Sequence, residues 1–229
     1  MHRRESDLET GLKQAKALVA VTMREGMPRS RSRKSAGKRD AIIQAAIEII
    51  NAKSFSLATM TEIAGSLDLS DAALYYYFPT KQALAYAAHV RSLERFEHLL
   101  KEADSAGGTG AEKLTRFTRN MLVDSSDNGS QLYFGEHSYL DAAQREAIDG
   151  WADRLKTILE RFLDEGMTDG SVVPCEPELV VQLYLGMLIW LAKWVPDTRD
   201  LTVERLMRAI GAFCLHGIES RKRDGGDGE

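Results

Sequence analysis

The chain has 229 residues, 44% of them hydrophobic, and a formal net charge of −4, a composition ordinary for a globular protein that buries a core. Its longest apolar stretch, LVVQLYLGMLIWLAKW, is interrupted by Gln182 and Lys193, so it falls short of the roughly 18 uninterrupted apolar residues of a membrane span. The opening MHRRESDLETGLKQ has no apolar segment of the secretory-signal kind, and the two cysteines, Cys175 and Cys214, have no ligand spacing; the expectation is a cytoplasmic protein with reduced thiols and no contact with a membrane.

Charge is distributed unevenly along the chain. Residues 1–39 hold eleven Lys/Arg against four Asp/Glu, and the rest of the chain is strongly acidic. A basic end on an acidic body fits a polyanion-facing end; a solvated tail fits the same numbers. Within it, Leu8, Leu12, Ala15, Val19 and Met23 recur at helical spacing and allow an extra amphipathic helix. MPRSRSRKSAG, residues 27–37, shows no period and reads as a flexible basic arm, so residues 1–37 form one expected unit.

From Lys38 the pattern becomes helical. Ile42, Ile43, Ala46, Ile47 and Ile50 form one wide apolar face. Thr59 and Glu62 have the spacing of a capping box for a short helix ending near Leu67. Asp68-Leu69 reads as a tight turn, Ser70 as the N-cap of another short helix, and Pro79 as the start of a long helix to about Ala103. Two short helices about a tight turn, behind a longer one, make a helix-turn-helix. On the second short helix, 100° per residue puts Tyr77 and Phe78 on the inner face with Leu74. Ala72, Ala73, Tyr75 and Tyr76 fall outside.

Beyond the loop DSAGGTG (104–110), helices are predicted near 111–124, 130–139, 141–166, 176–195 and 202–220, with Gly, Pro and Asp clusters between them. No strand alternation is evident, so the predicted fold is all-α: an N-terminal three-helix helix-turn-helix domain and a C-terminal helical domain. Boundaries are expected at 38–85 for the first and 86–220 for the second, with 221–229 a disordered tail.

The stretch TMTEIAGSLDLSDAALYYYFPTKQAL resembles the N-terminal domain of tetracycline-repressor (TetR) family regulators. The family pattern, roughly T-x-x-x-I-A-x-x-A-G-V-S-x-x-x-L-Y-x-H/Y-F-x-x-K-x-x-L, is met at Thr59, Ile63, Ala64, Ser70, Leu74, Tyr75, Tyr77, Phe78, Lys81 and Leu84. The resemblance implies a DNA-binding transcriptional regulator, a repressor released from a palindromic double-stranded operator by a small effector. It implies phosphate contacts from Thr59, Tyr75 and Lys81 and base-edge positions for Ala72, Ala73 and Tyr76, with Ser70 and Asp71 opening the same helix. Phosphate contacts position such a domain and base contacts specify its sequence. Arg31, Arg33 and Lys34 of the arm, with Lys38, extend the expected DNA surface. Two departures stand out: Leu67-Asp68 replaces the usual Ala-Gly turn, and Asp71 is acidic where phosphates approach. Asp71 and the acidic body motivate an alternative, a relative that has lost DNA binding and acts by protein–protein contact.

In the C-terminal part, Phe117, Met121, Tyr133, Phe134, His137, Tyr139, Trp151, Met187, Trp190 and Trp194 are candidates for an aromatic-lined effector pocket; core packing is the competing reading for each. The resemblance implies a homodimer through the last two helices, where Leu179, Leu183, Leu191, Leu206, Ile210 and Phe213 cluster with Gly186 and Gly211. A two-fold dimer fits a palindromic operator. No glycine-rich phosphate loop, metal-spaced His/Cys set or nucleophile elbow is present, so no enzyme activity, cofactor or metal is expected.

Overall fold

The computed structural model of the chain describes residues 29–133, 135–195, 198 and 200–215, with the backbone alone for 29–34, 192–194 and 215. Among these residues there are helices and no strands. Three helices form the head: α1 (Arg29–Lys53), α2 (Met60–Gly65) and α3 (Asp71–Tyr77). The body comprises α4 (Lys81–Ser105), α5 (Gly110–Asn128), α6 (Ala142–Asp169), α7 (Pro177–Trp194) and α8 (Val203–Ile210), the last running into a π-helical turn at Gly211–Leu215.

Short polar side chains set most of the helix starts. The hydroxyls of Thr59, Ser70, Thr80 and Thr202 each accept a backbone N–H from the first turn of α2, α3, α4 and α8. Thr109 with Glu112 and Asp141 with Gln144 form full capping boxes on α5 and α6. At α2 the box is only half made: Thr59 accepts from Glu62 N at 3.1 Å, but the Glu62 carboxylate turns to Lys53 Nζ. The α4 start corrects the expectation for Pro79. Thr80 is the cap and helix begins at Lys81, because a hydroxyl aimed at Ala83 N, at 3.0 Å, satisfies a donor that proline cannot.

α4 is the spine. Its buried run from Leu84 to Val90 and on to Ala103 packs against α1 on one side and α5 and α6 on the others. Because α4 serves both units, the expected boundary at residue 85 falls inside a continuous helix. The body core centres on Phe96, whose ring meets Phe117 at 4.9 Å and Tyr133 at 5.4 Å, with Trp151 and Phe162 buried beside them. α5 and α6 approach to backbone contact: a Cβ on Gly110 would stand 2.2 Å from Phe162 O and 2.3 Å from Gly166 N. Asp104, Lys113, Arg161 and Glu165 tie α4, α5 and α6 together at 2.6–2.9 Å.

Three more expectations change. α1 starts at Arg29, so residues 29–37 are helical and not an arm; Arg, Lys and Ala are good helix formers and need no apolar period to extend a helix already anchored by packing. The upstream amphipathic segment and the 221–229 tail lie outside the described residues. The last helix, expected over 202–220, is α-helical only to Ile210 within the described chain. Among the described residues of 130–139 there is no helix. There the backbone is claimed by other helices: Leu132 N donates to Ser92 Oγ at 2.9 Å, Leu132 O accepts from His89, and Gln131 O accepts from Asn51 Nδ2 at 3.3 Å. Gly129, at φ 76°, breaks the chain away from α5 just before.

Candidate functional site

The turn between α2 and α3 is closed by Leu69 N donating to Ala64 O at 2.9 Å, with Asp68 at φ 53°. Aspartate tolerates this left-handed conformation better than most residues, which is how the turn survives without glycine. Buried Ile63, Ala64, Leu74 and Phe78 fix the two helices against α1, and the Arg39 guanidinium sits 4.7 Å from the Phe78 ring centre.

The aromatic run divides as its helical period predicts. Leu74 and Phe78 are buried and Tyr77 is half-buried against the core. Tyr75 and Tyr76 are 48% and 68% exposed, Ala72 is exposed and Ala73 half-buried. α3 therefore shows an outward surface of two small residues and two tyrosines, with exposed Thr59, Ser70 and Lys38 nearby in the head. Arg31, Arg33 and Lys34 lie on the first turns of α1, where only the backbone is described.

Two expected DNA contacts acquire other partners. Asp71 Oδ2 accepts from the Thr61 hydroxyl at 2.7 Å, so it bridges α2 and α3 and places negative charge in the first turn of α3. Lys81 turns inward: its ammonium donates to Ala58 O at 2.6 Å and lies 4.2 Å from the Phe55 ring centre. Its placement holds the chain that leads into α2.

Between head and body lies a cavity of about 880 Å³. Its walls come from the end of α1 and the residues after it (Glu48 to Phe55), the middle of α5 (Met121, Leu122), the irregular 129–139 segment, and the facing parts of α7 and α8 such as Leu188 and Leu206. Of the sequence candidates, Met121, Tyr133 and Tyr139 line it. Phe117 and Trp151 do not; they are core residues at 0% and 1% exposure. His137 is held outside it by Gly135 O at 2.9 Å and Asp149 Oδ1 at 2.8 Å. Trp190 is 65% exposed on α7; Phe134 lies outside the described residues and the Trp194 side chain is not described.

A second hollow of about 1150 Å³ runs between α5, α7 and α8 and takes Met187. It borders an exposed apolar surface, with Leu183 at 69% and Phe213 at 60%. Leu179, Leu183 and Trp190 extend that surface along α7. Leu206 and Ile210, expected in a dimer interface, are instead buried within the chain.

Sequence reasoning missed Phe55 and His89. The Phe55 ring stacks on Tyr139 at 3.7 Å, 7° from parallel, with Lys81 over it; at such a short ring separation the ammonium must occupy the opposite face. His89 is fully buried on α4. Its Nδ1 meets Leu132 O at 3.1 Å and its Nε2 meets the Tyr139 hydroxyl at 2.7 Å. A carbonyl can only accept, so Nδ1 carries the proton and the Tyr139 O–H donates to Nε2. Burial, then the nearby His137, lowers the His89 pKa to about 4. Burial also raises that of Tyr139. The helical spacing of Ala85, His89, Ser92 and Phe96 is the signal that could have placed His89 on a buried face; nothing local marks Phe55, whose partner lies far along the chain.

Comparison with known proteins agrees with this architecture. The sequence pattern of the bacterial regulatory proteins of the tetR family matches residues 42–88, and that of the tetracyclin repressor-like C-terminal domain matches residues 107–218. The chain is a TetR-family regulator. The HTH-type transcriptional repressor KstR2 of Mycolicibacterium smegmatis is 22% identical over 205 residues, covering 82% of this chain and 94% of that protein. The fatty acid metabolism regulator protein of Bacillus subtilis is 22% identical over 189 residues, 79% of this chain and 95% of its own. In structure, AibR in complex with isovaleryl coenzyme A and operator DNA superposes with a TM-score of 0.65 at 24% identity, over 75% of this chain and 95% of that one. The regulator PfmR from Thermus thermophilus gives 0.65 at 23% identity over 78% and 99%.

Proposed function

We propose that the chain is a ligand-responsive repressor that binds a palindromic operator as a homodimer and releases it when a small apolar or aromatic effector fills the cavity between head and body. The observation that carries this reading is the make-up of the cavity wall: residues Glu48 to Phe55 belong to the head and Met121 to Tyr139 to the body. A ligand shifts an equilibrium only by binding its two states unequally, and an occupant here touches both moving parts. The solved complex of AibR with an acyl thioester and operator DNA supports a ligand-linked role for this fold.

The stacked rings supply a route outward. Tyr139 is anchored to α4 through His89, Phe55 lies on Tyr139, Lys81 lies on Phe55, and Lys81 holds Ala58, next to the Thr59 cap of α2. Displacing Tyr139 moves Phe55 and, through Lys81, the start of α2. α4 carries the same displacement to the head as a whole. The exposed α7 surface of Leu179, Leu183 and Trp190, with Phe213, is suited to burial against a second copy.

The reading that DNA binding has been lost rests on Asp71 and the acidic body, and the bond to Thr61 gives Asp71 a structural reason to be acidic. The test is capture of fragments of the host genome by the full chain, followed by titration of the enriched site at rising salt. Retention of one palindromic sequence, with affinity falling steeply with salt, is expected from phosphate neutralisation. No enrichment, or binding indifferent to salt, contradicts the proposal.

A further inference from the structure

The charge of the cavity narrows the effector class further, and this step rests on the cavity being the effector site. Its described wall carries two carboxylates, Glu48 and Glu136, and no lysine, arginine or histidine. The described basic side chains on the bordering segments have other partners, and His137 beside Glu136 is on Asp149. Arg91 donates to Asp40 O and Gln44 Oε1, and Arg95 is paired with Asp124. Lys53 is on Glu62, Arg205 donates to Asp200 O, and Lys81 is screened by the Phe55 ring. His89, behind Tyr139, is neutral at ordinary pH because burial depresses its pKa.

Both carboxylates are on exposed residues, and both are already oriented. Glu48 accepts from Gln44 Nε2 at 2.9 Å, and Glu136 accepts from Ser138 N at 3.0 Å and from the Ser138 hydroxyl. The Ser138 bonds hold Glu136 below the usual carboxylate range, so it stays ionised. Inside the rim the wall is apolar and aromatic, with Met121, Tyr133, Tyr139 and Leu188. An anionic head would enter against like charge with no cation on the described wall to meet it, whereas phosphates and carboxylates are held by arginine and lysine forks. A cationic head finds two acceptors and aromatic faces.

We propose that the effector is a hydrophobic organic cation, its apolar body between Met121, Tyr133 and Leu188 and its charged head at Glu136 and Glu48. This sets the chain apart from the acyl-thioester complex known for AibR.

The test uses one apolar tail with four heads: octyltrimethylammonium, octanol, octanoate and octanoyl coenzyme A, titrated calorimetrically into the full chain and scored for release of the enriched DNA. Octyltrimethylammonium should bind at least tenfold more tightly than octanoate, with octanol between them and octanoyl coenzyme A not binding. In the double variant Glu48→Gln, Glu136→Gln the cation should lose about tenfold while octanol binds unchanged, which also shows that the cavity is intact. Tightest binding and DNA release by octanoate or octanoyl coenzyme A would overturn this inference and leave the effector reading standing. The same holds if octanoyl coenzyme A binds and Arg119→Ala, in the second hollow, removes it. If none of the four binds or releases DNA, the cavity is not an effector site and both fall together.

Discussion

The head and the body reach their structures by different means. In the head, every short helix begins at a hydroxyl cap, the turn sits on one left-handed aspartate, and a small core of Ile63, Ala64, Leu74 and Phe78 closes it. In the body, the decisive features are made between residues far apart in sequence: Gly110 against Phe162, Leu132 against His89 and Ser92, Phe55 against Tyr139. A reading head must keep one shape, and local signals that all agree provide it. The body instead has a cavity, and beside it the described residues of the 129–139 stretch are held by side chains of other helices.

The largest expected effect tests whether the head depends on its few core residues. Phe78→Ala should lower stability by about 3–5 kcal/mol, read by urea denaturation, and abolish operator binding. If the loss is below about 1 kcal/mol, the head is not organised around this ring. Next is a pH effect confined to the body. Unfolded, His89 takes up a proton near 6.5; folded, it does so only near 4. Between these values the unfolded chain binds more protons, so stability is full above about pH 6.5 and falls as pH drops towards 4, by roughly 3 kcal/mol at most. His89→Gln should flatten that part of the stability–pH curve; an unchanged curve would assign the slope to other groups.

Gly110→Ala should cost about 1–3 kcal/mol, because the new methyl meets backbone and not a side chain that can swing away. Thermal melting measures this, and a neutral result would mean α5 and α6 separate readily. The smallest stability effect is expected on the outer face of α3: Tyr76→Ala should change stability by less than about 0.5 kcal/mol yet alter which operator positions are discriminated, as read by titrating single-base variants. Equal loss at every position would make Tyr76 a phosphate contact.

Legibility follows the same division. Ser70, Thr59, Asp68 and the split of Tyr75–Phe78 can be read because capping, turn and face are set within a few residues. The helix start expected at Pro79 moves to Lys81 because Thr80 supplies a better cap. The helix expected over 130–139 fails because its backbone groups are satisfied by Ser92, His89 and Asn51, which no local pattern announces. Phe117 and Trp151 cannot be told from pocket residues, since a buried aromatic and a cavity-lining aromatic have the same periodicity. Phe55 is invisible for the complementary reason: its role exists only through Tyr139 and Lys81, both far along the chain.

The central claim is that filling the seam between head and body moves the heads of the dimer relative to one another. A spin label at position 76 (Tyr76→Cys, with Cys175→Ser and Cys214→Ser) reports the distance between the two α3 helices by pulsed electron resonance. The account predicts one distance distribution on operator DNA and a different one when octyltrimethylammonium releases it, with the change lost in Phe55→Ala. Release of DNA with the distribution of the two labels unchanged would contradict it.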